Sequence, residues 1–202
     1  MEVLLIDDHP MLNAGIVSIL EQTELFKVCA QAQSLKEAMY IIEKADTLPS
    51  LVILDLLLGE DNGLDFLPML TKFCHNKKIL KPPVLVCSAL GDAFKIQAAL
   101  NKGAAGFLSK TGGKEELLKA IETIINGQIY ISDEVNLLIK KSSSVYAKFS
   151  KREKDVIDLL KANKSNKQIA DTLHINIRTV ENYISKIYFK TGYSNREEVR
   201  KL

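Results

Sequence analysis

Residues 3–10 read Val3-Leu4-Leu5-Ile6-Asp7-Asp8-His9-Pro10, a short apolar run that ends in two adjacent carboxylates. Continuous apolar residues, without alternating polar ones, are typical of a strand that is covered on both faces, as in a parallel sheet. Four further short apolar runs follow, at residues 26–30, 51–54, 84–87 and 106–108. Segments of helical period separate the runs, and this alternation predicts a doubly wound α/β domain with five parallel strands.

Polar side chains follow four of these five runs. They are Asp7 and Asp8 after the first run, Asp55 after the third, Ser88 after the fourth, and Ser109 and Lys110 after the fifth. In a flavodoxin-like sheet with strand order 2-1-3-4-5, the functional crevice lies at the carboxyl ends of strands one and three. The three carboxylates are therefore expected to converge there. Because their like charges repel, the cluster predicts a bound cation, and oxygen ligands favour Mg²⁺.

Lys110 and the hydroxyl of Ser88 indicate the function of this cation. Both groups stabilise the charge on a phosphoryl group during its transfer. Asp55 lies in the middle of the cluster and is the candidate nucleophile, since a carboxylate can form an aspartyl-phosphate. Taken one at a time, these residues are equally compatible with caps, turns or solvated loops. Only the joint pattern points to phosphoryl chemistry.

Four motifs of this half resemble the receiver domain of bacterial two-component response regulators, over about residues 1–125. They are Asp7-Asp8-His9-Pro10, Asp55 with Gly63 downstream, Ser88-Ala89, and Gly103-Ala104-Ala105-Gly106-Phe107-Leu108-Ser109-Lys110. The resemblance implies that Asp55 accepts a phosphoryl group from a sensor histidine kinase. Two positions depart from the common pattern: Gly59 stands where a proline is frequent, and Thr111 follows Lys110 where the family often has a Lys-Pro bond.

The same resemblance implies a role for each site residue. Asp7, Asp8 and Asp55 would hold Mg²⁺ together with the backbone carbonyl of Leu57. Lys110 and Ser88 would contact the phosphoryl oxygens. Ser88 and Phe107 match the hydroxyl and aromatic positions that couple phosphorylation to rearrangement of the domain.

A different composition begins after residue 126. Residues 127–147 contain Ser142-Ser143-Ser144 and a short helical pattern near 133–140, which predicts a linker. Three capping boxes follow, at Ser150–Glu153, Ser165–Gln168 and Ser194–Glu197. A further helix begins near Asn176, with Gly192 just past its end. The pattern predicts a receiver at 1–126, a linker at 127–147 and an all-α domain of four helices at 148–202.

The charge divides at the same place. Residues 1–127 hold 12 Lys and Arg against 16 Asp and Glu, a net charge of −4, whereas residues 128–202 hold 15 against 9, a net charge of +6. The near-neutral total of +2 therefore conceals an acidic half and a basic half. A basic domain has the electrostatic attraction on which non-specific DNA affinity depends.

Residues 165–173 and 176–190 have the spacing of a helix-turn-helix. The second of these helices places an apolar stripe inward and five polar residues on the opposite face: Arg178, Glu181, Asn182, Ser185 and Lys186. Asparagine can pair with adenine and glutamate can accept from cytosine, while cations bind phosphate. Charge and periodicity alone fit a helical adaptor equally well.

The motifs favour DNA binding over the adaptor. The segments that carry the resemblance to the LuxR-type helix-turn-helix of NarL/FixJ-class regulators are Phe149–Glu153, Ser165–Ala170, Thr179–Tyr183 and Lys190–Gly192. This resemblance implies base contacts from Glu181, Asn182 and Ser185, and phosphate contacts from Lys167, Thr179 and Lys186. It also suggests that the last helix, from Asn195 onward, helps to pair two domains on an inverted DNA repeat. Glu181 and Tyr183 depart from the lysine and histidine that are frequent in the family.

We therefore expect a cytoplasmic, non-enzymatic DNA-binding response regulator in which phosphorylation of Asp55 shifts homodimerisation or domain release to control transcription. No apolar run is long enough to span a membrane, so no membrane partner is expected. One alternative is a receiver-type regulator that works without phosphorylation. Another is a Mg²⁺-dependent phosphatase with an Asp-x-Asp motif, but the position of its general acid is occupied by Leu57.

Overall fold

The structure is a computed structural model that describes residues 1–89, 93–146, 149–191, 193 and 195–200. The chain forms two units, of which the first includes residues 1–89 and 95–136 and the second includes residues from 137 onward. Among the described helices, none has the length and apolar character needed to cross a membrane.

The strands are β1 (Glu2–Ile6), β2 (Lys27–Ala32), β3 (Leu51–Leu54), β4 (Leu57–Leu58), β5 (Asp61–Asn62), β6 (Val84–Ser88), β7 (Gly106–Ser109) and β8 (Tyr130–Ile131). The helices of the first half are α1 (Pro10–Glu21), α2 (Leu35–Lys44), α3 (Phe66–Lys77), α4 (Ala93–Asn101) and α5 (Lys114–Ile125). Those that follow are α6 (Asp133–Tyr146), α7 (Lys151–Lys161), α8 (Asn166–Leu173), α9 (Ile177–Thr191) and α10 (Arg196–Arg200).

The main sheet has the order β2-β1-β3-β6-β7-β8, and every pairing in it is parallel. Its first five strands are the five predicted from the sequence, in the predicted 2-1-3-4-5 order, so that part of the prediction is confirmed. Val3 and Leu5 pack with residues of α1 and α5, and their neighbours Leu4 and Ile6 are just as deeply buried. Because side chains alternate along a strand, both faces of β1 are covered, which explains its continuously apolar sequence.

The main sheet has one strand more than the sequence predicts, because β8 pairs with β7 as a sixth strand. Two residues are too few for a periodic sequence signal, and β8 lies in the segment predicted as a linker. Its neighbour Gly106 has no side chain for a steric reason: a Cβ there would lie 2.8 Å from the Tyr130 carbonyl oxygen and 2.9 Å from Ile124 Cδ1. The approach of β8 to β7 therefore requires glycine at this position.

The predicted short helix near 133–140 is also longer in the structure, since α6 continues through Ser142-Ser143-Ser144 to Tyr146. Serine disfavours a helix interior only mildly, by about 0.5 kcal/mol per residue relative to alanine. At the start of the helix, the Val135 amide donates to Ser132 Oγ at 3.4 Å. Asp133 and Glu134 in the first turn suit the positive end of the helix dipole.

In the second unit, helices α7 to α10 pack around an apolar core of their own, which confirms the predicted helical domain. The core residues are Phe149, Val156, Ile157, Leu160, Ile169, Ala170, Val180, Ile184, Ile187 and Val199. Both hydrogen bonds of the capping box are present at Ser150–Glu153 and at Ser165–Gln168, which confirms these two helix starts. The predicted cap Ser194 and the predicted stop Gly192 lie outside the described residues.

Glu153 joins α7 to α9 and is only 3% exposed. Its two carboxylate oxygens accept hydrogen bonds from Lys190 Nζ at 2.8 and 2.7 Å, and Oε2 also accepts from the Ser150 amide at 2.7 Å. Burial by itself raises the pKa of Glu153, but the bonds from Lys190 and Ser150 outweigh it and hold the pKa below its ordinary value of 4.5. The ionised carboxylate therefore stabilises the folded unit.

We expect Glu153→Gln to lower the free energy of unfolding of this unit by about 1.5–3 kcal/mol at pH 7, because a hydrogen-bonded buried charge is lost. A lowered pKa in the folded state stabilises above the ordinary pKa and is lost as the pH falls through the folded value. The difference between wild type and variant should therefore shrink below pH 4.5. Hydrogen exchange of the α7 and α9 amides at increasing urea concentrations measures the free energy of unfolding of this unit in both proteins.

The control is Gln168→Glu, which makes the reverse exchange in the other capping box and leaves Lys190 untouched. It should change the stability little. A gap between wild type and Glu153→Gln that stays constant from pH 7 to pH 3 would contradict a charge-based role.

Candidate functional site

Asp55 lies directly after β3 and is 2% exposed. Its amide donates to the Ile6 carbonyl of β1 at 2.8 Å, which places the ends of the two strands side by side. Ser88 Oγ donates to Asp55 Oδ1 at 2.6 Å, and Lys110 Nζ donates to Oδ2 at 2.6 Å. Each oxygen of this buried carboxylate is thus held by a residue from the end of another strand.

Asp7 completes the inner part of the site. It is 2% exposed, and its Oδ2 lies 2.7 Å from Lys110 Nζ. Its Oδ1 accepts a hydrogen bond from the His9 amide at 2.8 Å. Its carbonyl oxygen accepts from Asn13 Nδ2 at 2.8 Å, so α1 helps to position it. Asn13 is buried and was not predicted, because a single asparagine in a helical stripe has no distinctive sequence signal.

Lys110 links the two buried carboxylates. Its amide donates to the Ser88 carbonyl at 3.0 Å, which fixes the end of β7 beside that of β6. Burial by itself lowers the pKa of the Lys110 ammonium, but its hydrogen bonds to Asp55 and Asp7 and their charges outweigh this effect and raise the pKa. Lys110 therefore stays positively charged between its two partners. The Lys110–Thr111 peptide bond, at the position where the family often has Lys-Pro, is trans.

The hairpin of β4 and β5 holds Asp8 through a backbone hydrogen bond. Gly59, in the turn of this hairpin, has a φ of +56° and donates its amide to Asp8 Oδ2 at 2.8 Å. A proline has no amide hydrogen and a φ near −65°, so it fits neither requirement. The structure thus gives a physical reason for glycine at this departure from the family pattern. Leu57 lies at the start of the same hairpin, opposite Asn62, with an exposed side chain.

The carboxylates form a site that fits a divalent cation. Asp7, Asp8, His9 and Asp55 each offer one ligand atom, and these atoms all lie within 4.8 Å of one another. Asp8 Oδ1 is buried and accepts no hydrogen bond from the described residues. An oxygen in this position is costly unless a cation or water contacts it. Its presence, with two further carboxylates close by, matches the all-oxygen ligands that Mg²⁺ prefers.

Phe107 lies in the middle of β7 and is 2% exposed. In the sheet it is in register with Val86 on β6 and with Ile131 on β8. Its carbonyl oxygen accepts a hydrogen bond from the Ser132 amide at 3.4 Å. The two residues predicted to act as a switch, Ser88 and Phe107, thus lie on neighbouring strands, and the second of them is hydrogen-bonded to the chain that leads into α6.

The second unit presents the predicted polar face of α9. Arg178, Glu181, Asn182, Ser185 and Lys186 are all exposed, and so is Lys167 on α8. His174, with a φ of +53°, ends α8, and α9 begins three residues later, so the two helices form a helix-turn-helix. Thr179 is half-buried, and both its amide and its hydroxyl donate to Asn176 Oδ1, at 2.7 and 2.8 Å. In this structure Thr179 thus fixes the start of the helix.

The two halves of the chain match two known families. The response regulator receiver domain family matches residues 3–122, and the luxR family of bacterial regulatory proteins matches residues 147–201. The response regulator protein VraR of Staphylococcus saprophyticus is 29% identical over 203 residues, which cover 98% of this chain and 93% of that protein. VraR of Staphylococcus aureus has the same identity and coverage.

Solved structures also resemble this chain over almost its full length. RcsB of Salmonella enterica serovar Typhimurium, bound to a promoter in the presence of the phosphomimetic BeF3−, superposes with a TM-score of 0.73 at 22% identity over 99% of this chain and 96% of that one. The response regulator ChrA of a heme-sensing two-component system has a TM-score of 0.55 at 27% identity, over 98% and 94% of the chains. The chain belongs to the response regulators, and it combines a receiver domain with a LuxR-type DNA-binding domain.

Gly63 packs directly against the backbone of Asp55 and Leu56. A Cβ at this position would lie 2.2 Å from the Asp55 carbonyl oxygen and 2.7 Å from Leu56 Cα, so the backbone would have to move. We expect Gly63→Ala to lower the free energy of unfolding by about 1–3 kcal/mol, the usual cost of overpacking. The Asp55 amide resonance should shift in the same variant.

Gly15→Ala is the matched control, because a Cβ on Gly15 meets no atom within 4 Å. In a helix this exchange should raise stability by about 0.5–1 kcal/mol. Urea unfolding of both variants measures the two effects, and equal stability of Gly63→Ala and wild type would contradict the steric account.

Proposed function

We propose that this protein is a transcription regulator that is switched by transfer of a phosphoryl group from a sensor histidine kinase to Asp55. The observation that carries the proposal is the buried Asp55 carboxylate, whose two oxygens contact Ser88 and Lys110 beside Asp7 and Asp8. Asp55 attacks the phosphorus atom of the donor, and the donor's leaving group takes the bonding electron pair. The protein is proposed to act as a regulator and not as an enzyme.

The residues around Asp55 have separate tasks in this transfer. The Lys110 ammonium, 2.6 Å from Asp55 Oδ2, offsets the negative charge that gathers on the phosphoryl oxygens. The carboxylates of Asp7, Asp8 and Asp55 and the Leu57 carbonyl would hold Mg²⁺, which would supply further positive charge to those oxygens. Burial of Asp55 strengthens these electrostatic contacts, because the interior screens charge less than water does.

Ser88 and Phe107 convert the new charge into a change of shape. The phosphoryl group carries up to about two negative charges and strong acceptor oxygens, to which the Ser88 hydroxyl can donate. Ser88 already points at Asp55, and Phe107 is already buried, so part of this arrangement exists before phosphorylation. Phosphorylation then biases an existing equilibrium between two states. Through the Phe107 carbonyl, the change reaches Ser132 and the start of α6.

The output is binding to double-stranded DNA by the second unit. We propose that residues 1–126 act as the receiver, 127–147 as the linker and 148–202 as the DNA reader, with Glu181, Asn182 and Ser185 on bases and Lys167, Arg178, Thr179 and Lys186 on phosphates. The exposed polar face of α9 and the net charge of +6 support this assignment. Phosphorylation favours a homodimer that pairs through the last helix on an inverted repeat. Because its partner is DNA, the protein acts in the cytoplasm.

The phosphorylation site is tested with Mg²⁺ and acetyl phosphate as the donor, followed by intact mass. Wild type should gain the mass of one phosphoryl group, and Asp55→Asn should gain none because the nucleophile is gone. Asp46→Asn, an equivalent change at an exposed position outside the site, should behave as wild type. A phosphoryl adduct that persists in Asp55→Asn would contradict the assignment of Asp55 as the phosphorylated residue.

DNA reading is tested by selecting binding sites from random oligonucleotides with the phosphorylated protein. The recovered sites should contain an inverted repeat, and Asn182→Ala should relax the preference at one base pair by about 1–3 kcal/mol. Lys186→Ala should instead weaken binding to all sequences alike and lower the salt dependence by about one counterion. Equal DNA affinity before and after phosphorylation would favour the phosphorylation-independent alternative.

A further inference from the structure

His9 reaches into the carboxylate site from the start of α1. Its Nδ1 lies 2.9 Å from Asp7 Oδ1, 2.8 Å from Asp8 Oδ1 and 3.9 Å from Asp55 Oδ2. These three oxygens belong to the carboxylates that would hold Mg²⁺ in the proposed function. The imidazole nitrogen therefore lies at the centre of the ligand set and not at its margin, although 61% of the side chain is exposed to solvent.

The distances agree with four ligands around one cation. At metal–ligand distances of about 2.1 Å in an octahedral site, neighbouring ligands lie about 3.0 Å apart and opposite ones about 4.2 Å apart. Two of the measured Nδ1–oxygen distances match neighbouring positions, and the third falls between the two values. No rearrangement of the His9 ring is needed to bring Nδ1 within reach of a cation among these oxygens.

His9 Nδ1 forms close contacts with both Asp7 Oδ1 and Asp8 Oδ1, but only the contact with Asp7 has hydrogen-bond geometry. Nδ1 has a suitable geometry for a hydrogen bond to Asp7 Oδ1, whereas Asp8 Oδ1 accepts no hydrogen bond even though Nδ1 is only 2.8 Å away. Because a single Nδ1 hydrogen cannot align with both oxygens, Asp8 Oδ1 has a close contact but no hydrogen bond, and a cation shared with Nδ1 would satisfy it. Gly59 holds the other oxygen of Asp8, which keeps Oδ1 directed inward.

We propose that His9 Nδ1 is a further ligand of the divalent cation at the receiver site and that it shifts the preference of the site from Mg²⁺ towards Mn²⁺. Mg²⁺ demands oxygen ligands, whereas imidazole nitrogen suits first-row transition ions, and Mn²⁺ accepts both carboxylate and imidazole. This inference rests on the cation site of the proposed function and adds a nitrogen ligand and a metal preference to it.

The test uses the full chain with Mn²⁺ as the probe and electron spin echo envelope modulation as the readout. A directly bound imidazole gives a ¹⁴N coupling to Mn²⁺, which should be present in wild type and absent in His9→Gln. His75→Gln is the matched control, because His75 is exposed on α3 away from the site, and it should keep the coupling. Mn²⁺ affinity, measured by titration of the free-ion signal, should fall at least about tenfold in His9→Gln, since loss of even an outer-shell partner has effects of that size.

Competition by Mg²⁺ supplies the second measurement. The Mg²⁺ affinity should change much less than the Mn²⁺ affinity in His9→Gln, because Mg²⁺ prefers oxygen ligands and gains little from an imidazole nitrogen. Bound Mn²⁺ without nitrogen coupling in wild type would overturn the role of His9 and leave the proposed function intact. No detectable Mn²⁺ or Mg²⁺ binding to wild type would contradict the cation site itself, and with it both proposals.

Discussion

The Lys110 ammonium, shared between Asp7 and Asp55 at 2.7 and 2.6 Å, is the interaction on which the receiver site depends. It joins the ends of β1, β3 and β7, three strands that are distant in the chain. Without the ammonium, two buried carboxylates would face each other with no neutralising charge, which is unfavourable in an interior that screens charge poorly. The same ammonium lies where the charge of a transferred phosphoryl group would appear. Its structural role and its proposed functional role therefore have one physical origin.

The site is connected to the rest of the receiver through backbone contacts. β7 carries Lys110 at its end, Phe107 in its middle and Gly106 at its start, where β8 approaches too closely for any side chain. Backbone contacts therefore link β7 to β8 and to Ser132, the residue that precedes α6. The segment between the two domains is, at its beginning, a strand of the receiver sheet and not a free tether.

The DNA-binding unit uses the same principle with the buried carboxylate of Glu153. Glu153 caps α7 through Ser150 and holds α9 through Lys190, whose ammonium also lies 5.6 Å from the centre of the Phe149 ring. One carboxylate therefore fixes the start of a helix and the position of the helix that carries the proposed base contacts. The exposed face of α9 is left free for a partner because its inner face is held by this contact and by the apolar core.

Sequence patterns predict the five main strands, the two capping boxes at Ser150 and Ser165, and the polar residues that follow neighbouring strands around Asp55. These features arise from local periodicity and from the rule that parallel strands end on one edge. Only the folded chain shows the position of β8, the full length of α6, the burial of Asn13, the hydrogen bond from the Gly59 amide to Asp8 and the approach of His9 to the carboxylates. Each of these depends on distances between segments far apart in the chain, and a short strand, a backbone amide or a lone side chain has no periodic pattern by which it could be read in advance.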